Sequence, residues 1–307
     1  MEGKVLVCVV GPTAIGKTRL AIALALHFET EIISADSRQF YREMTIGTAV
    51  PSEEELHAVP HHFIQHKSIF EPYSVGDFEQ DALALLKKLF QTKDVVIMVG
   101  GSGLYVDAVV KGLDDFPEID PSVRRSLVSA LKEKGIGYLQ EELKQHDPEH
   151  YKNVDLQNPH RLIRALEVCL VSKKPYSSFL KKRKAKRFFK TIYTGLHADR
   201  PVIYDRIDRR VDLMLANGLV EEAKSLFEHK ALNALQTVGY KELFAHFGGH
   251  GSYEEAVSEI KKNTRRFAKR QLTWYRKNEN ILWVNYDQTT EKIVKKLESR
   301  IKALCDD

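Results

Sequence analysis

The feature that most constrains the fold is the glycine-rich segment Gly11–Thr18, with the sequence GPTAIGKT. It matches the P-loop pattern of a glycine, four residues, a second glycine, a lysine and a threonine. The apolar run Val5–Val10 precedes it and the amphipathic segment Lys17–Phe28 follows it, which is the strand–turn–helix context that a P-loop requires. In such a loop the backbone N–H groups point inward at phosphate oxygens. The charge of Lys17 adds to their attraction for the anion, and the hydroxyl of Thr18 can bind Mg²⁺. The sequence therefore predicts a polyphosphate site made by Gly11, Pro12, Thr13, Ala14, Ile15, Gly16, Lys17 and Thr18.

Strand and helix patterns alternate along the first part of the chain. Strands are predicted at Glu31–Ser34 and Val95–Val99, with an amphipathic helix at Asp77–Phe90 between them. Further strands are predicted at Thr191–His197 and Ile281–Asn285. Strands separated by helices in this way indicate an α/β fold with a parallel sheet and helices on both faces.

The segment between the two groups of strands has a different pattern. From about Phe116 to Arg187 the chain is helical and highly charged, with helices predicted around Val123–Lys134 and His160–Val171. We therefore expect a P-loop core of residues 1–115 and 188–307 that carries an inserted all-helical lobe, residues 116–187.

Composition limits the compartment and the class of protein. Among 307 residues the cysteines are Cys8, Cys169 and Cys305, which are too far apart in sequence to suggest a disulfide framework or a zinc site. No apolar run is long enough to cross a membrane. We expect a cytoplasmic protein without membrane attachment that acts as a monomer.

Polar residues follow two of the predicted strands. Asp36 comes just after Glu31–Ser34, and Ser102 lies in the glycine turn after Val95–Val99. Because the carboxyl ends of neighbouring parallel strands converge on the ligand crevice, we expect Asp36 and Ser102 to face the phosphates together. A carboxylate beside a phosphate site repels the anion, so it serves a proton or a metal ion; a helix cap is the alternative.

Several segments together resemble the tRNA dimethylallyltransferase (isopentenyl-diphosphate:tRNA transferase) family, in the order that the family has them. They run almost from end to end of the chain. The matching segments are Gly11–Thr18 (GPTAIGKT), Ser34–Tyr41 (SADSRQFY), Ile46–Ala49 (IGTA), Pro60–Ile64 (PHHFI), Gly100–Tyr105 (GGSGLY), Arg161–Val168 (RLIRALEV), Val238–Glu242 (VGYKE) and Thr264–Trp274 (TRRFAKRQLTW).

The resemblance implies transfer of a dimethylallyl group from dimethylallyl diphosphate, held by the P-loop, to the N6 amine of the adenine adjacent to the anticodon. It assigns the general base to Asp36, places Ser102 near the diphosphate and amine, and places Arg210 on the diphosphate, although Arg209 lies beside Arg210. Mg²⁺ is the expected cofactor. The implied contacts with the tRNA anticodon stem-loop are Asp36, Ser37, Arg38, Gln39, Ser102, Arg124, His160, Arg161, Leu162, Ile163, Arg164, Gln236, Thr237, Val238, Gly239, Tyr240 and Lys241.

Positive charge is concentrated in two acid-free stretches. Lys181–Lys190 holds seven Lys or Arg residues and Ile260–Asn278 holds eight, in a chain whose net charge is only +5. This concentration suits binding to an RNA backbone, although a solvated helix face is the alternative. In the second stretch, helical spacing places one set on a common face: Lys262, Arg265, Arg266, Lys269 and Arg276.

Other readings of the sequence remain open at this point. A cytokinin-type adenylate isopentenyltransferase would use free nucleotide, a small-molecule kinase would also carry a P-loop, and an RNA-binding module would have no activity. The histidines His61, His62 and His66 have spacing compatible with a metal site, but we expect them to be structural.

Overall fold

The computed structural model describes residues 3–180 and 185–306. Residues 181–184, at the start of the basic stretch Lys181–Lys190, lie outside the described residues. Over the described ranges the strands are β1 (Val5–Val10), β2 (Ile32–Ser34), β3 (His61–His62), β4 (Val95–Val99), β5 (Lys190–His197) and β6 (Leu282–Asn285).

All six of these strands join one parallel sheet. Its order is β3-β2-β4-β1-β5-β6, so the strand that leads into the P-loop lies inside the sheet, between β4 and β5. The carboxyl ends of β1, β2 and β4 lie at the same edge, where parallel sheets bind their ligands. The α/β fold class predicted from the alternation of strands and helices is confirmed.

Helices occupy the segments between the strands and follow the last one. Their bounds are α1 Lys17–His27, α2 Glu53–Ala58, α3 Val75–Leu89, α4 Gly103–Lys111, α5 Pro121–Lys134, α6 Ile136–His146, α7 Pro148–Asn153, α8 Pro159–Ser172, α9 Arg200–Ala216, α10 Leu219–Ser225, α11 Tyr240–Phe247, α12 Tyr253–Tyr275 and α13 Thr290–Asp306. Short 3₁₀ turns lie at Tyr176–Phe179, Phe227–His229 and Asn233–Leu235.

Alternate residues of β1 supply two separate hydrophobic cores, one on each face of the sheet. Leu6 and Cys8 belong to the core that is closed by α3, α4, α10 and α11. Val5 and Val7 belong to the core that is closed by α1 and α13. Successive side chains of a strand point to opposite faces, so a run of six buried residues requires cover on both sides. The predicted helices on both faces are therefore present.

The chain divides into two compact units. The first comprises Met1–Lys111 with Lys186–Asp307 and contains the whole sheet, and the second is Gly112–Ala185. The second unit consists of α5 to α8 and one 3₁₀ turn, packed around a core of its own that includes Leu127, Leu143 and Leu166. This unit overlaps the predicted helical insertion, residues 116–187; its part in binding tRNA stays a prediction.

The histidine-containing strand β3 has no counterpart among the predicted strands. It is two residues long, too short for a periodic pattern, and it forms only because His61 and His62 pair with Ile32 and Ile33. Nε2 of His62 lies 2.6 Å from a carboxylate oxygen of Glu31. Over the described ranges no group of three His, Cys, Asp or Glu residues is placed to hold a metal ion.

Candidate active site

The P-loop connects β1 to α1 in a backbone path that its glycines allow. Gly11 has a φ of 137°, and a Cβ there would lie 2.6 Å from the carbonyl oxygen of Leu196, so no other residue fits. Ala14 also has a positive φ, of 62°, and its carbonyl oxygen accepts a hydrogen bond of 2.8 Å from Nε of Arg206 on α9. The conformation of the loop is therefore stabilised by Arg206 of α9 as well as by its own glycines.

Lys17 is placed at the start of α1 with its ammonium turned back over the loop. Its Nζ donates to the carbonyl oxygen of Pro12 at 2.8 Å. Burial lowers the pKa of Lys17 to about 8; the negative charge of Asp36 opposes this shift and the positive charge of Arg210 adds to it. A desolvated cation between these groups is an effective partner for an anion, because few water molecules screen it.

A cleft of about 730 Å³ opens at this edge of the sheet. The loops that follow β2 and β4 line it together with residues of α4, α9, α11 and α12, and the lining includes many of the predicted site residues. From the predicted set, the wall contains Thr13, Asp36, Ser37, Arg38, Ser102, Arg210, Gln236, Thr237, Val238, Gly239 and Lys241. The P-loop residue in this wall is Thr13.

Asp36 and Ser102 line the same cleft, as the parallel strand ends predict, and Ser37 connects the two loops. The N–H of Ser37 lies 3.4 Å from Oγ of Ser102, and the two serine hydroxyls lie 3.3 Å apart. Oδ1 of Asp36 accepts the N–H of Arg38 at 3.1 Å, which orients the carboxylate. Within the described chain no hydrogen bond engages Oδ2 of Asp36, so this oxygen is available to accept a proton.

The structure distinguishes Arg210 from its neighbour. Arg210 lines the cleft, and burial lowers the pKa of its guanidinium while the charge of Asp36 opposes that shift. The side chain of Arg209 is 76% exposed and pairs with Asp205 at 3.0 Å. Helical spacing of four residues also places Arg206, which holds the P-loop, on the same face of α9 as Arg210.

Some predicted tRNA contacts have side chains that the fold already uses. Gln39 is buried and donates to the carbonyl oxygens of Thr48 and Ala49 at 3.2 and 2.8 Å. Nη1 of Arg38 donates to the carbonyl oxygens of Asn233 and Ala234 at 3.1 and 2.9 Å. These hydrogen bonds hold both side chains in place; Gln39 lies behind the wall of the cleft, whereas Arg38 is part of that wall.

Tyr240, also a predicted tRNA contact, is fully buried. Its hydroxyl donates to a carboxylate oxygen of Glu222 at 2.6 Å, and the same carboxylate accepts the backbone N–H groups of Thr45, Ile46 and Gly47 at 3.0, 2.8 and 2.9 Å. Tyr240 thus supports the Gly47 wall of the cleft, and its ring is not available to stack on a base.

In the second unit the predicted contacts separate into exposed and buried residues of α8. His160 and Arg161 are exposed, whereas Leu162 and Ile163 are buried in the core of that unit, which leaves their side chains unavailable to RNA. Glu167 is buried and pairs with Arg124 at 3.0 Å and with Arg164 at 3.6 Å. The side chains of Arg124 and Arg164 are themselves half-exposed, so Glu167 holds two positive charges at the surface of this unit.

The basic face of α12 carries less free charge than its sequence suggests. Nη1 of Arg265 contacts both carboxylate oxygens of Asp208 at 2.7 and 2.9 Å, and Lys262 pairs with Glu259 at 2.7 Å. The residues of this helix that are exposed and, over the described ranges, without an acidic partner are Arg266, Lys269, Arg270 and, at its C-terminus, Arg276.

Two residues that the sequence did not single out complete the site. Arg206 holds Ala14, and the buried side chain of Gln271 on α12 contacts both the P-loop and the turn after β4. Gln271 stands within the family-like segment Thr264–Trp274, but no sequence pattern separates it from its basic neighbours. The rim of the cleft also contains Phe267 and Trp274 of the same helix.

None of the helices in residues 3–180 and 185–306 combines the length and apolarity that crossing a membrane demands.

Comparison with known proteins gives a consistent picture. The tRNA dimethylallyltransferase of Christiangramia forsetii is 60% identical over 296 residues, covering 96% of this chain and 98% of that protein. The protein of the same name from Flavobacterium johnsoniae is 56% identical over 306 residues, covering 98% and 99%. Both matches extend over nearly the whole of each protein.

Solved structures share the fold at lower identity. A tRNA isopentenylpyrophosphate transferase from Bacillus halodurans superposes with a TM-score of 0.72 at 36% identity, over 99% of this chain and 97% of that one. A eukaryotic dimethylallyltransferase captured acting on tRNA gives a TM-score of 0.77 at 25% identity, over 92% and 74%. The sequence model of the IPP transferase family matches residues 39–278. This chain belongs to the IPP transferase family.

Proposed function

We propose that this protein transfers the dimethylallyl group of dimethylallyl diphosphate to the N6 amine of the adenine adjacent to the anticodon in tRNA. The observation that carries the proposal is that one edge of the sheet brings together a P-loop with the buried cation Lys17, the cation Arg210, and the Asp36 carboxylate, whose Oδ2 makes no hydrogen bond within the described residues. Prenyl transfer to a neutral amine requires one group of residues that binds the leaving anion and another residue that accepts the proton of the amine.

In the proposed reaction, the C–O bond between the allylic carbon and the diphosphate breaks and its electron pair leaves with the diphosphate. Lys17, Arg210 and the N–H groups of the P-loop stabilise the charge that develops there. The adenine amine attacks the allylic carbon and its lone pair forms the new C–N bond. Oδ2 of Asp36 takes the proton that the amine releases.

Magnesium fits the residues that are present. The hydroxyl of Thr18, in the first turn of α1, makes no hydrogen bond within the described chain and is an oxygen ligand of the kind that Mg²⁺ takes beside a phosphate. Mg²⁺ binds through few protein groups and through substrate phosphates, so the lack of a carboxylate cluster over the described ranges agrees with this role. When bound, the ion would neutralise charge on the diphosphate.

The direct test combines purified protein, dimethylallyl diphosphate, Mg²⁺ and an unmodified anticodon stem-loop, with mass spectrometry of the product nucleosides. We expect prenylated adenosine, and none from a matched stem-loop with guanine at the target position. Equal turnover of AMP would identify an adenylate isopentenyltransferase instead. Consumption of ATP without any need for the isoprenoid would identify a kinase.

Arg210→Ala should lower kcat/KM for dimethylallyl diphosphate by roughly 10²-fold, because one of the cations that stabilise the leaving group is lost. The matched control is the adjacent Arg209→Ala, whose side chain is exposed and paired with Asp205. We expect Arg209→Ala to keep wild-type kinetics. Equal losses in the two variants would contradict the assignment of Arg210 to the diphosphate.

The double substitution Lys269→Glu with Arg266→Glu should weaken tRNA binding and reduce the slope of log Kd against log salt by roughly two, because two phosphate contacts are removed. Filter binding at several salt concentrations measures both effects. The matched control, Lys295→Glu with Lys296→Glu, makes a comparable charge change on the exposed face of α13. An unaltered slope in the α12 variant would make this face a solvated surface.

A further inference from the structure

Gln271 is a neutral, buried side chain in α12, a helix rich in lysine and arginine. It is only 5% exposed, while the neighbouring Lys269 and Arg270 on α12 are exposed. Its Oε1 accepts the backbone N–H of Thr13 in the P-loop at 2.8 Å. Its Nε2 donates to the carbonyl oxygen of Gly101, in the turn after β4, at 3.0 Å. Both halves of one side-chain amide are therefore used to join two loops.

The turn after β4 is shaped to receive this amide. A Cβ on Gly101 would lie 2.1 Å from Nε2 of Gln271, so any side chain there would displace it. The same position is 3.7 Å from Nζ of Lys17. One turn further along α12, Nε1 of Trp274 donates to Asp107 at 3.0 Å, which attaches the helix to α4 as well. The Gln271 amide thus lies beside the predicted diphosphate site.

The contact with Thr13 decides which N–H groups of the P-loop face the anion. In a P-loop the backbone N–H groups point at phosphate oxygens, but here the Thr13 N–H is taken by Gln271. The contact with Gly101 sets the separation between that loop and Ser102, the next residue in the turn. Removal of the amide leaves a buried donor and a buried acceptor without partners, which forces the loops to move.

We infer that Gln271 is a positioning residue: its amide fixes the P-loop relative to the turn that carries Ser102, and so sets the geometry of the diphosphate site. The inference rests on the proposed function for the identity of the ligand. Gln271 acts through Thr13 and Gly101 and not on the reacting atoms, so its loss should affect the donor and leave the RNA contacts of α12 intact.

The test uses Gln271→Met, which keeps the length of the side chain and removes both hydrogen bonds. We expect kcat/KM for dimethylallyl diphosphate and the affinity for inorganic pyrophosphate with Mg²⁺, measured by calorimetry, each to fall by roughly 10–100-fold. KM for the stem-loop should stay within about twofold of the wild-type value, since no phosphate-contacting cation is removed. The matched control is Gln140→Met, which removes an amide hydrogen bond to Leu156 in the second unit and should leave both donor measurements unchanged.

The variant Gln271→Glu provides a second test, the pH dependence of kcat/KM for the donor, which would not change if Gln271 only stabilised the fold. An ionised carboxylate can accept from Thr13 but repels the carbonyl oxygen of Gly101, whereas the protonated acid can donate to it. Burial favours the protonated acid and the nearby ammonium of Lys17 favours the ionised form, so the ratio of variant to wild-type kcat/KM for the donor should rise as the pH falls towards the pKa of the introduced carboxyl.

The outcomes separate this inference from the proposed function. Wild-type pyrophosphate affinity in folded Gln271→Met, or a flat pH ratio for Gln271→Glu, would overturn the positioning role even if the wild type prenylates tRNA. A wild-type protein that binds pyrophosphate but transfers no prenyl group would refute the proposed function, and the pyrophosphate measurement would still decide the role of Gln271.

Discussion

We expect Asp36→Asn to lower kcat for prenylation by roughly 10²–10⁴-fold and to leave the affinities for the donor and for tRNA nearly unchanged. Asparagine keeps an oxygen that can accept the N–H of Arg38, as Oδ1 of Asp36 does at 3.1 Å, so the turn is preserved. What it removes is the carboxylate oxygen that we propose takes the proton from the adenine amine. Single-turnover kinetics with saturating stem-loop and donor measure this step without product release.

Comparison with Asp36→Ala shows whether Asp36 acts as a base or holds the turn. Alanine removes both the base and the acceptor for the Arg38 N–H, so if Asp36 acts as a base, asparagine should lose most of the activity that alanine loses. If asparagine restored wild-type turnover while alanine did not, Asp36 would be a structural residue of the turn. The control is Asp94→Asn, an exposed carboxylate that pairs with Lys4 and lies outside the cleft wall.

The parts of the site that the sequence predicts are those set by local pattern and by strand order. The P-loop is a contiguous motif, and the strand that precedes it and the strand that pairs with that one have the bounds that their apolar runs predict: Val5–Val10 and Val95–Val99. The meeting of Asp36 and Ser102 needed one further rule, that the carboxyl ends of neighbouring parallel strands converge. No long-range contact had to be known.

The parts that the sequence misses depend on contacts between distant segments. Gln271 and Thr13 are 258 residues apart, and nothing in a run of lysines and arginines marks a glutamine as buried. Helical spacing placed Arg265 on the basic face of α12, but it could not reveal Asp208 across from it on α9. Tyr240 was placed among the tRNA contacts because of its motif, and only packing shows that its ring is enclosed.

We expect the charge of Lys17 to make the activity of this protein depend on pH. Burial lowers the pKa of Lys17 to about 8, so in the free protein the side chain is cationic below that pH and becomes neutral above it. A neutral amine gives no Coulomb attraction to the diphosphate, and kcat/KM reports ionisations of the free enzyme. We therefore expect kcat/KM for dimethylallyl diphosphate to be constant below about pH 8. Above that pH it should decrease, with a slope that approaches tenfold per pH unit.

Lys17→Met should lower kcat/KM for the donor by roughly 10³-fold at neutral pH, because it removes the cation that we propose stabilises the leaving diphosphate from the P-loop. It should also abolish the alkaline decline. Lys17→Arg keeps a charge that no accessible pH removes, so it should retain more activity than methionine and also lack the decline. The control is Lys88→Met, on the exposed surface near the end of α3, which should keep the wild-type profile. Rates of donor consumption between about pH 6 and pH 10 would decide the matter, since persistence of the decline in Lys17→Arg would assign the ionisation to another group.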